Sequence, residues 1–427
     1  MAANSLSRLE RAYLQTQPVF GTIPNSGGTA SVSGSNACRF MHMELQNDTA
    51  LLVRGDKTGT RSMEGMTGGR KVGRWNISMD LAANGTAGVV PDCDPILQAI
   101  FGQTAAVGSG SANISSSTNA SPIVLTTAAH GITSGTFEVV TVAGHLVNTT
   151  ANGVWLAYAG GTTSLTLCGS VGVGIGGSSG TVSRVKVSYT FVDGISLFTL
   201  WSFRTPSTLD QRAAHTCVVQ EATFNLNQDV ASWQAQGECM WVLRSSDFAN
   251  DDLYQQAGLS SFPSEPATPV TNGNIVPGFT GRFVAAQSVA TTSAAAFATN
   301  AFTFTTIRNG TFRLQTQNLL VKDTFGSYYA TITEGDVRNI ELSFNIYDDD
   351  SVQIGQLKDY GDLKTPVDFF ISVGTVVGNV WSHYFRNVYL ASHVLGDGQL
   401  RFDARFDNSR ATTTSLGVRD EYALTIS

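Results

Sequence analysis

Six histidines, five cysteines, a run of aspartates and a run of glycines are the places in this 427-residue sequence where chemistry would first be sought. His42, His130, His145, His215, His383 and His393 fall in separate segments with no HxH or HExxH spacing. Nothing therefore pairs two imidazoles as metal ligands or couples one to a general base. Cys38, Cys93, Cys168, Cys217 and Cys239 are scattered and form no CxxC pair. An odd number without ligand spacing reads as reduced, buried thiols, not as a zinc site or disulfide framework. That expectation fits folding in a reducing cytoplasm. Asp348-Asp349-Asp350 offers carboxylates to calcium, but EF-hand spacing is missing and Asp350 suits the N-cap of the helix expected next. The run from Val171 to Gly177 superficially matches a dinucleotide loop, yet it lies between strand patches with no helix after it, so a turn is expected. There is no GxSxG elbow and no Ser, His and Asp grouping favoured by spacing. The sequence thus predicts no enzyme, no catalytic, metal or cofactor-binding residue, and no cofactor.

The net charge of −7 and pI near 5.4 argue against a protein that grips nucleic acid through its phosphates, while allowing a mildly acidic channel along which DNA slides. The dense positive region, Arg54, Lys57, Arg61, Arg70, Lys71 and Arg74, reads as a solvated hairpin or as a contact for an acidic patch on a neighbour. Charged residues make up only 14 % of the chain, with 43 glycines against 11 prolines, a mix that suits many short strands joined by turns. No charged n-region precedes an apolar core at Met1-Ala2-Ala3-Asn4, and no stretch approaches the roughly 20 apolar residues of a membrane helix, so neither a signal peptide nor a membrane span is expected.

The elements that would position any site follow from periodicity. Residues 1–36 read as an N-terminal arm, with a short helix over Ser5 to Gln15 broken at Pro18. From Arg74 to Leu81 the residues alternate, Trp75, Ile77, Met79 and Leu81 on one face and Arg74, Asn76, Ser78 and Asp80 on the other, which predicts a half-buried strand. A helix is expected from Asp94 (N-cap) through Pro95 to Gly102. Residues 103–184 hold one acid, Glu138, and one base, Arg184, between a Gly/Ser/Asn stretch and the glycine run; they read as a small β-module inserted in a surface loop, a decoration. Strands resume at Val185, with Leu197 to Phe203, Cys217 to Leu226, and Trp233 to Trp241, the last placing Trp233, Ala235, Cys239 and Trp241 on one face. Residues 261–276, with three prolines, read as a linker.

Beyond the linker the order repeats. Arg338 to Ile346 alternates as Arg74 to Leu81 does; a helix over Ser351 to Tyr360, ended by Gly361, parallels Asp94 to Gly102. Val367 to Val373 parallels Leu197 to Phe203, and the strands Tyr384 to Leu390 and Leu400 to Phe406 parallel the earlier hairpin. The sequence therefore predicts a duplicated unit. The expected division is a first domain over 37–102 and 185–260, interrupted by the module, and a second over 277–427.

Ala12 to Gly102 resembles the start of the two-domain tail tube proteins of long-tailed, siphovirus-like bacteriophages. The matching phrases are Gln15-Thr16-Gln17-Pro18-Val19-Phe20-Gly21-Thr22-Ile23-Pro24, then Gly68-Gly69-Arg70 leading into the alternating strand, then Asp92-Cys93-Asp94-Pro95-Ile96-Leu97-Gln98-Ala99-Ile100-Phe101-Gly102. The phrases Thr127-Ala128-Ala129-His130-Gly131-Ile132 and Asn152-Gly153-Val154-Trp155 in the module are similar to small β-repeats of phage tail proteins; the module itself departs from the minimal family pattern. The resemblance implies an all-β fold of tandem β-sandwich or barrel domains, each with a short flanking helix and a long hairpin lining a lumen. It also implies homotrimeric, pseudo-hexameric rings stacked into a tube through which DNA passes without sequence-specific binding. Terminator, tape measure and distal tail proteins would be partners, in a virion tail assembled in the host cytoplasm. The wet faces Arg74-Asn76-Ser78-Asp80 and Asn339-Glu341-Ser343-Asn345 suit such a lumen wall or an ordinary solvent-facing sheet. A different class, a receptor- or carbohydrate-binding β-protein, would act through Trp155 and Tyr158 of the module, two residues that also fit a small core.

Overall fold

The computed structural model describes residues 10–53, 66–173, 176–204, 211–246, 257–266, 275–304, 307–348, 351–395, 401–407, 414–415 and 418–427. It is an all-β protein with three short helices among the described residues. In chain order the first elements are β1 (Glu10–Gln17), the small pair β2 (Asn25–Ser26) and β3 (Thr29–Ala30), β4 (Ala37–Cys38), the long hairpin β5 (His42–Val53) and β6 (Met66–Asp80), and α1 (Asp94–Phe101). Next come β7 (Ala106–Gly108) and the module strands β8 (Ser111–Ser117), β9 (Val124–Thr127), β10 (Phe137–Ala143), β11 (Gly153–Ala159), β12 (Ser164–Leu167) and β13 (Thr181–Ser183). They are followed by β14 (Lys186–Val192), β15 (Leu197–Arg204), β16 (Arg212–Cys217), β17 (Glu221–Leu226), β18 (Ser232–Cys239) and β19 (Trp241–Arg244). The rest of the chain holds β20 (Arg282–Gln287), α2 (Ala294–Asn300), β21 (Phe302–Phe304), β22 (Ile307–Gln315), the hairpin β23 (Asn318–Val321) and β24 (Ile332–Gly335), and β25 (Asn339–Tyr347). It ends with α3 (Val352–Asp362), β26 (Val367–Val373), β27 (Trp381–Leu395), β28 (Arg401–Asp407), β29 (Thr414–Ser415) and β30 (Val418–Ile426). No described helix is long and apolar enough to cross a membrane.

The strand pairings carry the repeated order down to the register. In the first half Leu14 lies opposite Leu200, Leu200 opposite Ala214, and Ala214 opposite Val242. In the second half Ala285 lies opposite Phe369, Phe369 opposite Phe385, and Phe385 opposite Tyr422. The facing sheet behaves alike: Leu45–Trp75–Gly237 in the first half answers to Phe312–Leu342–Phe406 in the second. Each half is thus a sandwich of β1-β15-β16-β19 over β5-β6-β18-β17, or of β20-β26-β27-β30 over β22-β25-β28-β27, with the end of β27 serving as the counterpart of β17. Alternating apolar residues of both sheets close one shared core, including Trp75, Ile77, Phe224, Trp233, Phe312, Leu342, Phe369 and Phe406.

Even the irregularities repeat. Thr216 (φ 56°) and Asn387 (φ 55°) occupy the left-handed region at the same step of β16 and β27, each beside a register shift against its neighbour strand. A left-handed residue is strained for both side chains, so the surroundings must hold it. In the first half the Thr216 N–H donates to Gln17 Oε1 at 2.8 Å; in the second the Asn387 N–H donates to Asp368 Oδ1 at 2.7 Å. Two different acceptors satisfy one backbone requirement.

Several local expectations need correction. Glu10–Gln17 is a strand inside a sheet, between β15 and β4, where a helix was expected; its buried run of Ala12, Tyr13, Leu14 and Gln15 serves two packed faces, a pattern that periodicity alone does not separate from a helix. Residues 10–17 are accordingly part of the first sandwich, not an arm. Cys93, not Asp94, holds the N-cap position of α1, and the Asp94 carboxylate accepts from Tyr189 Oη and Gln98 Nε2, each at 2.6 Å. Ser351 caps α3, its Oγ accepting from the Ile354 N–H, while Asp350 lies outside the described residues. Gly361 lies inside α3, where a Cβ would meet Leu390 at 2.5 Å. The strands expected over 217–226 and 233–241 each divide, because β16 and β19 join one sheet and β17 and β18 the other, which takes Trp241 off the face of Trp233. In the stretch expected to be a linker, Val276 is buried and donates to the Leu81 carbonyl, and Glu265 pairs with Arg11 at 2.9 Å.

The inserted module closes into a six-stranded barrel, β10-β11-β12-β9-β8-β13, while β7, expected within it, pairs with β14 outside. It was expected as a surface decoration, yet one side is a packing layer. Val139, Val154, Leu156 and Cys168 of the barrel pack with Val284, Ala286, Phe370, Phe297 and Ala298 of the second half. Arg282 stacks 3.5 Å from the Trp155 ring centre and donates to the Val154 carbonyl at 2.9 Å, and burial pulls its guanidinium down to about 10. In the first half the corresponding outer face, Tyr13 and Trp201, is covered instead by Ile23, Ala30, Leu259 and Phe262.

At the barrel's root Glu138 pairs with Lys186 and with Arg184, the latter at 3.1 Å. Burial alone would raise the Glu138 carboxyl, but Lys186 and Arg184 together outweigh it and hold the group below its ordinary range. A lowered folded value means stability that is present above the unfolded pKa, about 4.3, and lost as pH falls through the folded value. Glu138→Gln should cost about 3 kcal/mol at pH 7 by leaving the buried Lys186 without its carboxylate. Urea unfolding should show that deficit shrinking by pH 3; an equal deficit at both pH values would contradict the pairing.

Candidate assembly surfaces

Among the described residues few of the types that could do chemistry come together; Cys217 and Cys239 are buried neighbours whose thiols interact. Among the described residues no group of three His, Cys, Asp or Glu side chains could hold a metal ion, and all five cysteines are free and buried. His130 and His145 order turns of the barrel: Nδ1 of the first accepts from the Ile132 N–H, and Nδ1 of the second from the Asn148 N–H. His215 and His383 are fully buried, and burial pulls them down to about 4 and about 3. His42 is exposed at the start of β5, and the side chain of His393 lies outside the described residues. Asp348 accepts from Lys358 Nζ at 2.6 Å, and Asp349 lies outside the described residues. Residues 171–173 and 176–177 of the glycine run form no helix, and residues 174 and 175 lie outside the described set. Of the basic region, Arg54, Lys57 and Arg61 fall outside it too; Lys71 sits over the rings of Trp241 and Tyr329, and Arg74 faces Asp48 at 3.8 Å.

What the fold does bring together is a seam, two edges and a wet face. At the seam β17 of the first half pairs antiparallel with β22 of the second, Glu221 opposite Gln315 and Phe224 opposite Phe312. Beneath the backbone bonds Phe224 stacks between Phe312 (4.8 Å) and Trp233 (5.3 Å), and His383 packs edge-on against it. The two halves thereby share one sheet. Among the described residues that sheet stops at β5, which pairs only with β6, and at Ser392–Leu395 of β27, which pairs only with β28. By the register correspondence β5 is the counterpart of β22, and Ser392–Leu395 the counterpart of β17. The chain therefore ends in the same two edges that it joins at its centre.

On the face of this sheet away from the core, two rows are polar from edge to edge. One row across it runs Glu44, Asn76, Gln236, Glu221, Gln315, Asn339; another runs Asp80, Ser232, Asn225, Thr311, Ser343, Arg405. The wet faces expected at Arg74 to Asp80 and at Asn339 to Asn345 thus belong to one continuous surface. Three arginines on it face carboxylates: Arg74 with Asp48, Arg313 with Glu221, Arg405 with Glu341. Sequence reasoning located these strands but missed the seam, since pairing of residues this far apart leaves no local signal. The chain matches no known protein-family profile, and no curated protein is similar to it in sequence.

Phe224→Ala should remove about 3–5 kcal/mol, the ordinary loss for a fully buried Phe, and should do so at the seam. Limited proteolysis is the check: new cleavage should separate the two halves, and unchanged proteolysis with unchanged unfolding would contradict the seam's role.

Proposed function

We propose that this chain is the structural subunit of a bacteriophage-type tail tube, self-assembling into stacked rings around a channel that DNA crosses during genome ejection. The observation that carries this reading is the seam between two halves of matching register. A chain that joins an edge of one kind to an edge of the other internally, and keeps one of each at its ends, is built to repeat that join with further copies. Such a head-to-tail contact closes into a ring where its rotation closes, and it removes the unpaired strand edges that would otherwise invite aggregation. Three chains then supply six ring positions, in line with the family resemblance. The polar face becomes the channel wall. With Arg74, Arg313 and Arg405 matched to carboxylates it offers duplex phosphates little to hold, as passage requires. In this reading the protein belongs to the virion tail, it is assembled in the host cytoplasm, and terminator, tape measure and distal tail proteins meet the tube.

Receptor or sugar binding through the barrel has less support. Trp155 is buried under Arg282, and Tyr158 is half-buried with its ring 5.4 Å from Phe137. The exposed large apolar side chains described on the barrel, Leu146, Val147, Val171 and Val173, are aliphatic and offer no ring for a sugar to stack on.

Carrying the seam register outward places Ser392 opposite Asp48, and Leu395 opposite Leu45, of a second copy. Ser392→Cys combined with Asp48→Cys should give chain-to-chain disulfides on a non-reducing gel, with trimers as the closed product. Ser392→Cys combined with Asn47→Cys should not, because a one-residue slip turns the thiol to the other face. Negative-stain microscopy of the wild-type chain should show rings or hollow tubes; only dispersed particles at high concentration, with no register-specific disulfide, would refute the proposal.

A further inference from the structure

β22 carries two features of opposite shape at its two ends. At the Ile307 end a cavity of about 410 Å³ opens between the sheets. Phe283, Phe304 and Phe344 line it together with the exposed Arg308, while Arg282, which also borders it, turns its guanidinium onto Trp155. A cavity of about 150 Å³ is enough to hold a benzene ring, so this one admits an aromatic side chain with room for its neighbours. At the Gln315 end the chain runs into the β23–β24 hairpin, whose tip carries Phe325 at 105 % relative exposure and Tyr328 at 64 %. No other large apolar side chain described is as exposed as Phe325, and a tip built around it points to a partner.

Charge and rigidity agree with a docking element. Asp323 stands exposed two residues from Phe325 at the tip, and the hairpin's lysine, Lys322, is already paired with Glu238. The tip thus offers its Asp323 carboxylate to the exposed Arg308 at the cavity. The hairpin is also held in place: Tyr328 accepts from the Lys71 N–H at 2.9 Å, and the Lys71 ammonium reaches Tyr329 Oη at 3.2 Å. A knob fixed in advance loses little freedom on docking.

The occupant of the cavity must come from another molecule. The two features sit at opposite ends of a nine-residue strand, about 30 Å apart at the usual rise, so a chain cannot seat its own tip. A knob and a hole at opposite ends make a contact that does not close on itself and propagates along the strand direction. Resting on the ring reading above, which uses the lateral edges and leaves both strand ends available, we infer that the Phe325 tip of one copy docks into the cavity at the opposite end of β22 in a second copy, and that this contact stacks one ring on the next.

The test is microscopy of Phe325→Ser and, on the other side, Arg308→Glu, each also carrying Ser392→Cys and Asp48→Cys. Phe325 touches little of its own chain, so folding should be unaffected, and Arg308 is an exposed side chain at the mouth. The expected result is retained ring disulfides with at least a ten-fold loss of stacked particles in both variants. Phe325→Cys with Arg308→Cys should in turn yield disulfides between rings. Tubes as long as wild type in both variants, with lateral disulfides intact, overturn the docking and leave the ring reading standing. A wild-type chain that forms neither rings nor tubes overturns both.

Discussion

Six backbone pairs between β17 and β22 hold the molecule together as one object. Without them each half would present a bare sheet edge, and an exposed edge is a site for uncontrolled pairing. With them the two inner sheets become a single surface, apolar beneath and polar above. The aromatic stack of Phe224 between Trp233 and Phe312 fixes how the two sheets meet. The matched registers, down to the left-handed residues Thr216 and Asn387, mean that the same pairing chemistry stands at the two outer edges. Self-assembly, as proposed, is the continuation of an interaction the chain already makes with itself.

The halves are alike in their sandwiches and different in what covers them. Tyr13 and Trp201 are roofed by the neighbouring segments around Ile23 and Phe262, whereas Val284 and Phe370 are roofed by the inserted barrel. The barrel leaves the first half between α1 and β14 and settles on the second. Its ties at Arg282–Trp155 and Glu138–Lys186 therefore bear on the relative position of the halves. β14 adds to this, since it follows the barrel in the first half but pairs with β30 of the second.

Much of this was legible in the residues. The alternation of Trp75, Ile77, Met79 and Leu81 against Asn76, Ser78 and Asp80 named both the strand and its wet face, and the same holds for Ile340 to Ile346. Asp94-Pro95 and Gly102 bracketed α1, with Gly102 in the left-handed conformation (φ 78°). The repeated order of elements pointed to duplication before any register was known. The larger failures share a cause: they depend on non-local pairing. Glu10–Gln17 is a strand because β15 and β4 flank it, and its own pattern suits a helix equally well. The division of 217–226 and 233–241 reflects two sheets claiming one segment. The seam joins Glu221 to Gln315, and nothing near either residue announces the other. In sequence Trp155 suited either a surface contact or a small core, and Arg282, contributed by a distant strand, covers it.

The central claim is that each chain supplies two equivalent positions to a ring. Native mass measurement of the smallest closed assembly tests it most directly. A ring of three 45.3 kDa chains is the predicted result. A ring of six whole chains would mean that the two halves do not occupy successive positions, and would contradict the account.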